Sequence, residues 1–226
     1  MRQDYQVNEI FSSIQGEGRQ VGRVATFIRL QGCPVGCEWC DTKYTWFKGG
    51  SRMSLYEIWQ EVRHPWVVIT GGEPTLYDLD GLIEGIDELD QEFKERRPAP
   101  LYRVFQLETS GLHELKGKRV PDWVTISPKH RLQYQVPDSL LRYANELKFV
   151  VDEHFTPSIA EDLQTRCNEI SVPNPDSTFH HGRVSVVLMP EGCPPKPEMI
   201  ALTLIVLNDH PDWFYGDRIQ YRIGVP

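Results

Sequence analysis

The chain has 226 residues, with 24 Lys and Arg against 32 Asp and Glu, which gives a formal net charge of −8 at pH 7. This charge argues against broad binding to nucleic acids or anionic membranes, and the 40% hydrophobic content excludes wholesale disorder. We expect one domain over residues 1–226, with no membrane span and no signal peptide. The five cysteines are an odd number and favour a reducing compartment, so we expect a cytoplasmic protein.

Six apolar, β-branched runs predict strands, and the helical patterns between them favour a mainly parallel sheet. The predicted strands are 24–30, 66–70, 102–107, 123–126, 147–151 and 184–189, with 218–223 as a weaker candidate. Residues 11–18 are expected to form a loop before the first strand. This number of strands is too small for a closed eight-stranded barrel. We therefore predict an open, partial parallel α/β barrel of about six strands, with ligands at the carboxyl ends of the strands.

Four helices are predicted between the strands. Apolar residues at helical spacing predict a helix over 79–96, with Gly85 on its polar side. Ser54 is the expected N-cap of a helix over 54–62, and Thr156 is the expected N-cap of a helix that begins at Pro157. Residues 197–208 are apolar almost throughout, and their length favours a helix over a strand.

Three cysteines, Cys33, Cys37 and Cys40, follow the 24–30 strand directly. Gly36 between them permits the positive φ that a curled loop needs, and converging thiolates suit zinc or an iron–sulfur cluster. Structural zinc normally takes four protein ligands in two close pairs. The chain offers only distant candidates for a fourth ligand: His64, Cys167 and Cys193. Three thiolates on a cubane cluster would leave one iron open for a non-protein ligand.

Other strand ends carry polar or glycine-rich turns. The run 66–74 ends in Gly71, Gly72 and Glu73, where backbone groups can approach a ligand and the acid can pair with an ammonium. The turns 108–111, 127–129 and 189–192 close later strands. Taken singly, each is also an ordinary turn.

Three features suggest substrate and cation contacts. Gln15 and Glu17 offer donors and acceptors for the edge of a pyrimidinone ring. Arg29, in an apolar strand, needs a partner, which is either a substrate carboxylate or an internal Glu. Asp41 and Thr42 provide hard oxygens for Mg²⁺, although the pair is equally a helix cap.

The C-x3-C-x2-C spacing with Trp39 before the third cysteine resembles the radical S-adenosylmethionine superfamily. The segments SIQGEG, FIRLQGCPVGCEWCDT, VVITGGEP, ETSG and VTISPK, in this order over residues 8–129, resemble the 7-carboxy-7-deazaguanine synthase family. That resemblance implies a lyase that converts 6-carboxy-5,6,7,8-tetrahydropterin to 7-carboxy-7-deazaguanine with loss of ammonia. A 5′-deoxyadenosyl radical would abstract the C6 hydrogen with Mg²⁺ assistance, so no side chain is assigned as catalytic.

The resemblance also implies a ligand for each segment. A [4Fe-4S] cluster would bind Cys33, Cys37 and Cys40, and Mg²⁺ would bind Thr42. The implied pterin contacts are Ile14, Gln15, Gly16, Glu17, Arg29, Thr70 and Pro226. The implied S-adenosylmethionine contacts are Gly72, Glu73, Ser127, Pro128, Lys129, Met189, Pro190, Glu191 and Gly192. A homodimer and an electron donor such as a flavodoxin or ferredoxin are expected partners.

Two alternatives remain at this stage: an activating enzyme for a glycyl-radical protein, and a zinc- or cluster-binding module without catalysis. Cys167 is expected in the core, and Cys193 as a free thiol in a turn. Basic residues 96–97 and 116–119 are expected to be exposed, and His180 and His181 to lie in a solvated loop. No role is assigned to Gln220, Tyr221 and Arg222.

Overall fold

The computed structural model describes residues 4–95, 102–115, 119–174, 177, 179 and 182–226. The predictions for Arg96, Arg97, residues 116–118, His180 and His181 lie outside these residues.

The strands of the described residues form one open, mixed sheet of nine strands, in the order β3-β1-β2-β4-β5-β6-β7-β8-β9. The strands are β1 Asp4–Ile14, β2 Val24–Leu30, β3 Ser51–Ser54, β4 Trp66–Gly71, β5 Val104–Thr109, β6 Trp123–Ile126, β7 Glu146–Val151, β8 Ser185–Pro190 and β9 Phe214–Tyr215. Strands β2 and β4 to β9 run parallel, and β1 pairs antiparallel with β2 and β3. The predicted open partial barrel is confirmed, and its six central strands are the six predicted ones.

Two predictions near the chain ends are wrong: that the first loop begins at residue 11, and that residues 218–223 form a strand. Residues 11–14 are the end of β1, because backbone pairing with β2 holds them in a strand although two of the four are serines. Residues 219–223 are not a strand but the helix α6, Ile219–Ile223, which ends at Gly224 with φ +69°. The two-residue strand β9 takes the place beside β8 instead.

The predicted helices are present as α1 Leu55–Glu61, α2 Leu79–Glu92, α4 Pro157–Ile170 and α5 Pro197–Asp209, and an unpredicted short helix α3 spans Asp138–Leu141. Ser54 caps α1 in a reciprocal capping box with Glu57. Thr156 is at the N-cap of α4, but its hydroxyl contacts Ser158 Oγ at 3.1 Å and caps no backbone N–H.

Gly85 is buried, so its predicted place on the polar side of α2 is wrong. A Cβ at this position would be 2.2 Å from Leu55 Cδ2. The glycine therefore allows α1 to approach α2 closely, a packing role that the helical pattern alone does not indicate.

The two faces of the sheet pack against different apolar clusters. One face packs against the helices in the main apolar core, which includes Ile28, Ile69 and Leu107. Within the barrel, a smaller apolar cluster of Ala25, Phe27, Trp66, Val68 and Val104 closes the end that holds the amino ends of the strands. No helix among the described residues has the length and apolar character needed to cross a membrane.

Above this cluster the interior becomes polar. Trp66 Nε1 donates to Gln106 Oε1 at 3.0 Å, and Gln106 Nε2 donates to Glu108 Oε1 at 2.8 Å. Because side chains two residues apart share one face of a strand, Gln106 and Glu108 both point into the barrel. The carboxyl ends of the strands therefore present polar groups to the interior.

Candidate active site

A cavity of about 500 Å³ lies at the carboxyl ends of the parallel strands, on the inner face of the sheet. The cysteine loop, the turn after β1, the ends of β4 to β8 and the C-terminal segment form its walls. The predicted site residues that line it are Ile14, Gln15, Gly16, Glu17, Arg29, Cys33, Cys37, Cys40, Thr42, Thr70, Gly72, Ser127, Lys129, Met189 and Pro226. Sequence segments more than 200 residues apart thus meet in one place.

The remaining predicted site residues lie outside this cavity. Pro190 and Gly192 line a smaller cavity of about 320 Å³, which shares Met189 with the first. Pro128 and Glu191 line neither of the two, and the Glu191 carboxylate accepts from Lys196 Nζ at 2.5 Å.

Glu73 is fully buried, and its carboxylate is committed to the protein. Oε1 accepts from the backbone N–H and the hydroxyl of Thr75, at 3.0 and 2.8 Å, and from the Thr109 hydroxyl. Oε2 accepts from the backbone N–H of Ser110 at 2.9 Å and from its hydroxyl. The side chain thereby fixes the turn after β4 against the end of β5, and does not line the cavity.

The turn after β4 also touches the cysteine loop. Glu73 N donates to Gly32 O at 2.7 Å, and a Cβ on Gly72 would be 2.0 Å from the same oxygen. Only glycine fits this approach, which brings the Gly72 backbone beside Cys33.

The cysteine loop is pinned at both ends. Gly36 has φ +66°, as its position in the loop predicts. Gly32 N donates to Thr45 O at 2.7 Å, and Cys33 N donates to Trp46 O at 3.4 Å. Burial raises the pKa of the Cys33 and Cys37 thiols, so a bound cation is what would hold them as thiolates at neutral pH.

The three thiols of the cysteine loop face the same cavity. Across the described residues, no three His, Cys, Asp or Glu side chains are grouped to hold one metal ion. The three thiols nevertheless line one cavity and lie within electrostatic range of one another. Separate irons of one cluster could each take one of them. Of the distant candidates for a zinc ligand, Cys167 is buried in the core as expected, and Cys193 is exposed.

Thr42 lies two residues after Cys40, at the N-cap of a 3-10 turn over Lys43–Thr45. Its side chain caps no backbone group, and its Oγ1 lies 3.5 Å from Cys40 Sγ. The hydroxyl is therefore available to a cation, and the adjacent Asp41 carboxylate accepts from Tyr221 OH at 3.2 Å.

A buried ionic cluster of Glu17, Glu108, Glu146 and Lys148 borders the cavity. Lys148 Nζ lies 2.8 Å from Glu17 Oε2 and 2.7 Å from Glu108 Oε2, and Gln15 Nε2 donates to Glu108 Oε1 at 3.1 Å. Burial alone would raise the pKa of Glu17, but Lys148 and Arg218 outweigh it and lower the pKa to about 2.

Other groups of the cluster titrate differently. Burial, followed by the Glu108 charge, raises the pKa of Glu146 to about 7, and its Oε1 accepts no hydrogen bond from the part of the chain that the structure describes. Burial lowers the pKa of Lys148, but its three neighbouring carboxylates outweigh burial and raise it. The cluster thus keeps an ion pair charged beside a carboxyl group that is partly protonated at neutral pH.

Arg29 has an internal partner and also faces the cavity. Its Nε lies 2.7 Å from Glu9 Oε1, and the side chain is 16% exposed. Both alternatives raised for Arg29 are therefore compatible with its position, because its Nη groups make no hydrogen bond to the described residues and can donate to an anion.

The C-terminal segment closes one side of the cavity. Ile219 N donates to Gly16 O at 3.0 Å, and Gln220 Nε2 donates to Glu17 Oε1 at 3.2 Å. Arg218 Nε lies 3.6 Å from the same Glu17 oxygen, and Ser13 Oγ donates to Pro226 O at 2.5 Å. These contacts bring residues without an assigned role into the site.

Sequence reasoning missed two kinds of site residue. Glu146 and Lys148 carried a usable signal, since a charged side chain in an apolar strand is what singled out Arg29. Arg218 and Gln220 carried no local signal, because their partners are about 200 residues away in the chain.

The chain is similar in sequence and in fold to known proteins. No family model matches it. It is 35% identical over 228 residues to the 7-carboxy-7-deazaguanine synthase of Prochlorococcus marinus, covering 96% of each chain. It is 38% identical over 174 residues to the enzyme of that name from Escherichia coli K12, covering 65% of this chain and 72% of the relative. The crystal structure of QueE from Escherichia coli matches with a TM-score of 0.68 and 30% identity, over 94% of this chain and 93% of the other.

Proposed function

The chain belongs to the 7-carboxy-7-deazaguanine synthase family and is a lyase, and from this membership we propose the reaction and the residues that carry it. The substrate is 6-carboxy-5,6,7,8-tetrahydropterin, and the product is 7-carboxy-7-deazaguanine with loss of ammonia. The observation that carries the proposal is the single cavity in which three thiols, a glycine turn, an arginine and a buried ion pair meet. Family membership decides against the activating-enzyme and zinc-module alternatives.

Cys33, Cys37 and Cys40 would hold a [4Fe-4S] cluster, and the Gly72 backbone beside Cys33 would hold the methionyl end of S-adenosylmethionine. Ser127, Lys129 and residues 189–192 would contact the rest of that cofactor. The cluster and S-adenosylmethionine, when both are bound, would supply a 5′-deoxyadenosyl radical for abstraction of the substrate C6 hydrogen.

The chain's own charges orient the pterin. Arg29 offers guanidinium N–H groups to the substrate carboxylate, and Glu17 stays ionised because its pKa is about 2. An ionised Glu17 accepts hydrogen bonds from the N–H edge of a pyrimidinone ring, whereas Lys148 and Gln220 keep its side chain in place. The contacts from Ile14, Gly16, Thr70 and Pro226 complete the enclosure.

Thr42 would bind Mg²⁺ through its hydroxyl, with substrate oxygens and water as further ligands. Glu73 serves this site indirectly, because it holds the glycine turn in place through Thr75, Thr109 and Ser110.

Partners follow from the same membership. We propose a homodimer in the cytoplasm that takes single electrons from a small redox protein such as a flavodoxin or ferredoxin. Sedimentation equilibrium tests the dimer, and a monomer at micromolar concentration would contradict it. Turnover with a purified flavodoxin and its reductase in place of a chemical reductant tests the donor.

The reaction itself is tested by anaerobic reconstitution of the chain with iron and sulfide, followed by addition of S-adenosylmethionine, reductant, Mg²⁺ and the carboxytetrahydropterin. We expect a product with the mass and absorbance of 7-carboxy-7-deazaguanine, formed together with 5′-deoxyadenosine. A reaction without the pterin is the control. Formation of 5′-deoxyadenosine without the deazaguanine would retain the radical chemistry and refute the substrate.

A further inference from the structure

Trp46 is unusual among the six tryptophans of the chain. Its indole N–H donates to a sulfur atom, Cys40 Sγ, at 3.4 Å. Each of the other five indoles donates to an oxygen: Trp39 to Asp152, Trp59 to Asp90, Trp66 to Gln106, Trp123 to Thr125 and Trp213 to Gln164. The only indole N–H that is aimed at sulfur within the described part of the chain thus meets one of the three thiols of the site.

The chain fixes this indole in place. Trp46 N donates to Lys43 O at 3.1 Å, which closes the 3-10 turn after Thr42, and Trp46 O accepts from Cys33 N at 3.4 Å. The adjoining Thr45 O accepts from Gly32 N at 2.7 Å. The tryptophan backbone is therefore tied to one end of the cysteine loop, and its side chain reaches the other end at Cys40.

We infer that Trp46 is a positioning and tuning residue that raises the reduction potential of the cluster by donating a hydrogen bond to the Cys40 sulfur. This inference rests on the cluster assignment in the proposed function. Reduction adds negative charge to the cluster and its sulfur ligands, so a hydrogen-bond donor stabilises the reduced state more than the oxidised state. The role is separate from substrate binding, because it acts on electron entry through the Cys40 sulfur.

A second group near the same sulfur is Thr42 Oγ1, at 3.5 Å. Its hydroxyl rotates freely and is the proposed Mg²⁺ ligand, whereas the indole N–H has one fixed direction. Trp46 is therefore the group whose removal isolates the effect on the cluster.

The test is a redox titration of the reconstituted full chain without substrate, followed by electron paramagnetic resonance of the reduced cluster. Trp46→Phe keeps a ring at the position and removes the N–H. We expect the ratio of reduced to oxidised cluster at a fixed potential to fall about tenfold. For a one-electron couple this corresponds to a reduction potential that is lower by about 59 mV.

Trp39→Phe is the matched control. It removes an indole N–H from the same loop, but that N–H is donated to Asp152 Oδ2 at 3.2 Å and to no thiol. We expect its potential to stay near that of the wild type. An unchanged potential in Trp46→Phe, or an equal fall in both variants, would overturn the inference.

A measurement on the wild type keeps the inference testable if Trp46→Phe assembles no cluster. With ¹⁵N-labelled indole, hyperfine spectroscopy of the reduced cluster should detect a coupled indole nitrogen and an exchangeable proton. Absence of both couplings would overturn the inference. Failure of the proposed reaction would appear instead in the product assay, and an iron-free wild type would overturn the cluster assignment and this inference together.

Discussion

Lys148→Met should destabilise the chain by about 3–5 kcal/mol at about pH 8, because it leaves buried carboxylates without their counter-charge. Lys148 is 9% exposed and bridges Glu17 and Glu108 at 2.8 and 2.7 Å. The pKa of Glu17, lowered from 4.5 to about 2, corresponds to about 3 kcal/mol of net stabilisation of its charged form, which Lys148 shares with Arg218 and Gln220.

The pH dependence follows from the sign of these shifts. A carboxyl group whose pKa is lowered by folding stabilises the folded chain at any pH above its pKa in the unfolded chain. For Glu17 this stabilisation is lost as the pH falls from about 4.5 towards about 2. In Lys148→Met, the buried carboxyl groups instead have raised pKa values and take up protons when the pH is lowered. The destabilisation by the substitution should therefore be smaller at about pH 5 than at about pH 8.

The assay is urea unfolding of the metal-free chain, followed by tryptophan fluorescence at both pH values. Arg166→Met is the control, since Arg166 pairs with Asp138 at 2.6 Å at the surface and should change stability by less than about 1 kcal/mol. A loss in Lys148→Met that is equal at the two pH values, or no larger than in the control, would refute this account of the cluster.

Three further outcomes are expected at the site. Cys33→Ala should abolish both the visible absorption of the reconstituted cluster and turnover, and retained turnover would reject the cluster assignment. Thr42→Ala should raise the Mg²⁺ concentration for half-maximal activity at least about tenfold while keeping the iron–sulfur spectrum, and an unchanged Mg²⁺ response would remove Thr42 from the site. Gly72→Ala should lower the free energy of unfolding by about 1–3 kcal/mol, because the added Cβ would be 2.0 Å from Gly32 O. It should also weaken S-adenosylmethionine binding, measured by calorimetry. An unchanged affinity would show that Gly72 does not contact that cofactor.

The central strands were predictable because each is a mainly apolar run, such as β2 and β7, and the helices between them indicated a parallel sheet. The cysteine loop was predictable for a different reason. The three cysteines lie within eight residues, so Cys33 and Cys40 mark a candidate site without knowledge of the fold.

The elements that sequence reasoning missed depend on distant partners. Residues 11–14 form a strand because β2 supplies the pairing groups, and 219–223 form a helix although their pattern is compatible with a strand. Gly85 lies in a helix contact because Leu55 packs on that side of α2. In each case the neighbouring element overrides a weak local preference.

The amino-acid sequence by itself determined the family, the open barrel and the three thiols, since these depend on local pattern and close spacing. The tertiary structure decided how the remaining charges are used. It committed Glu73 to Thr75, Thr109 and Ser110, and it placed Lys148 between Glu17 and Glu108. The physical reason is that a buried charge needs a partner, and which partner it finds depends on which strand ends and turns the fold brings together.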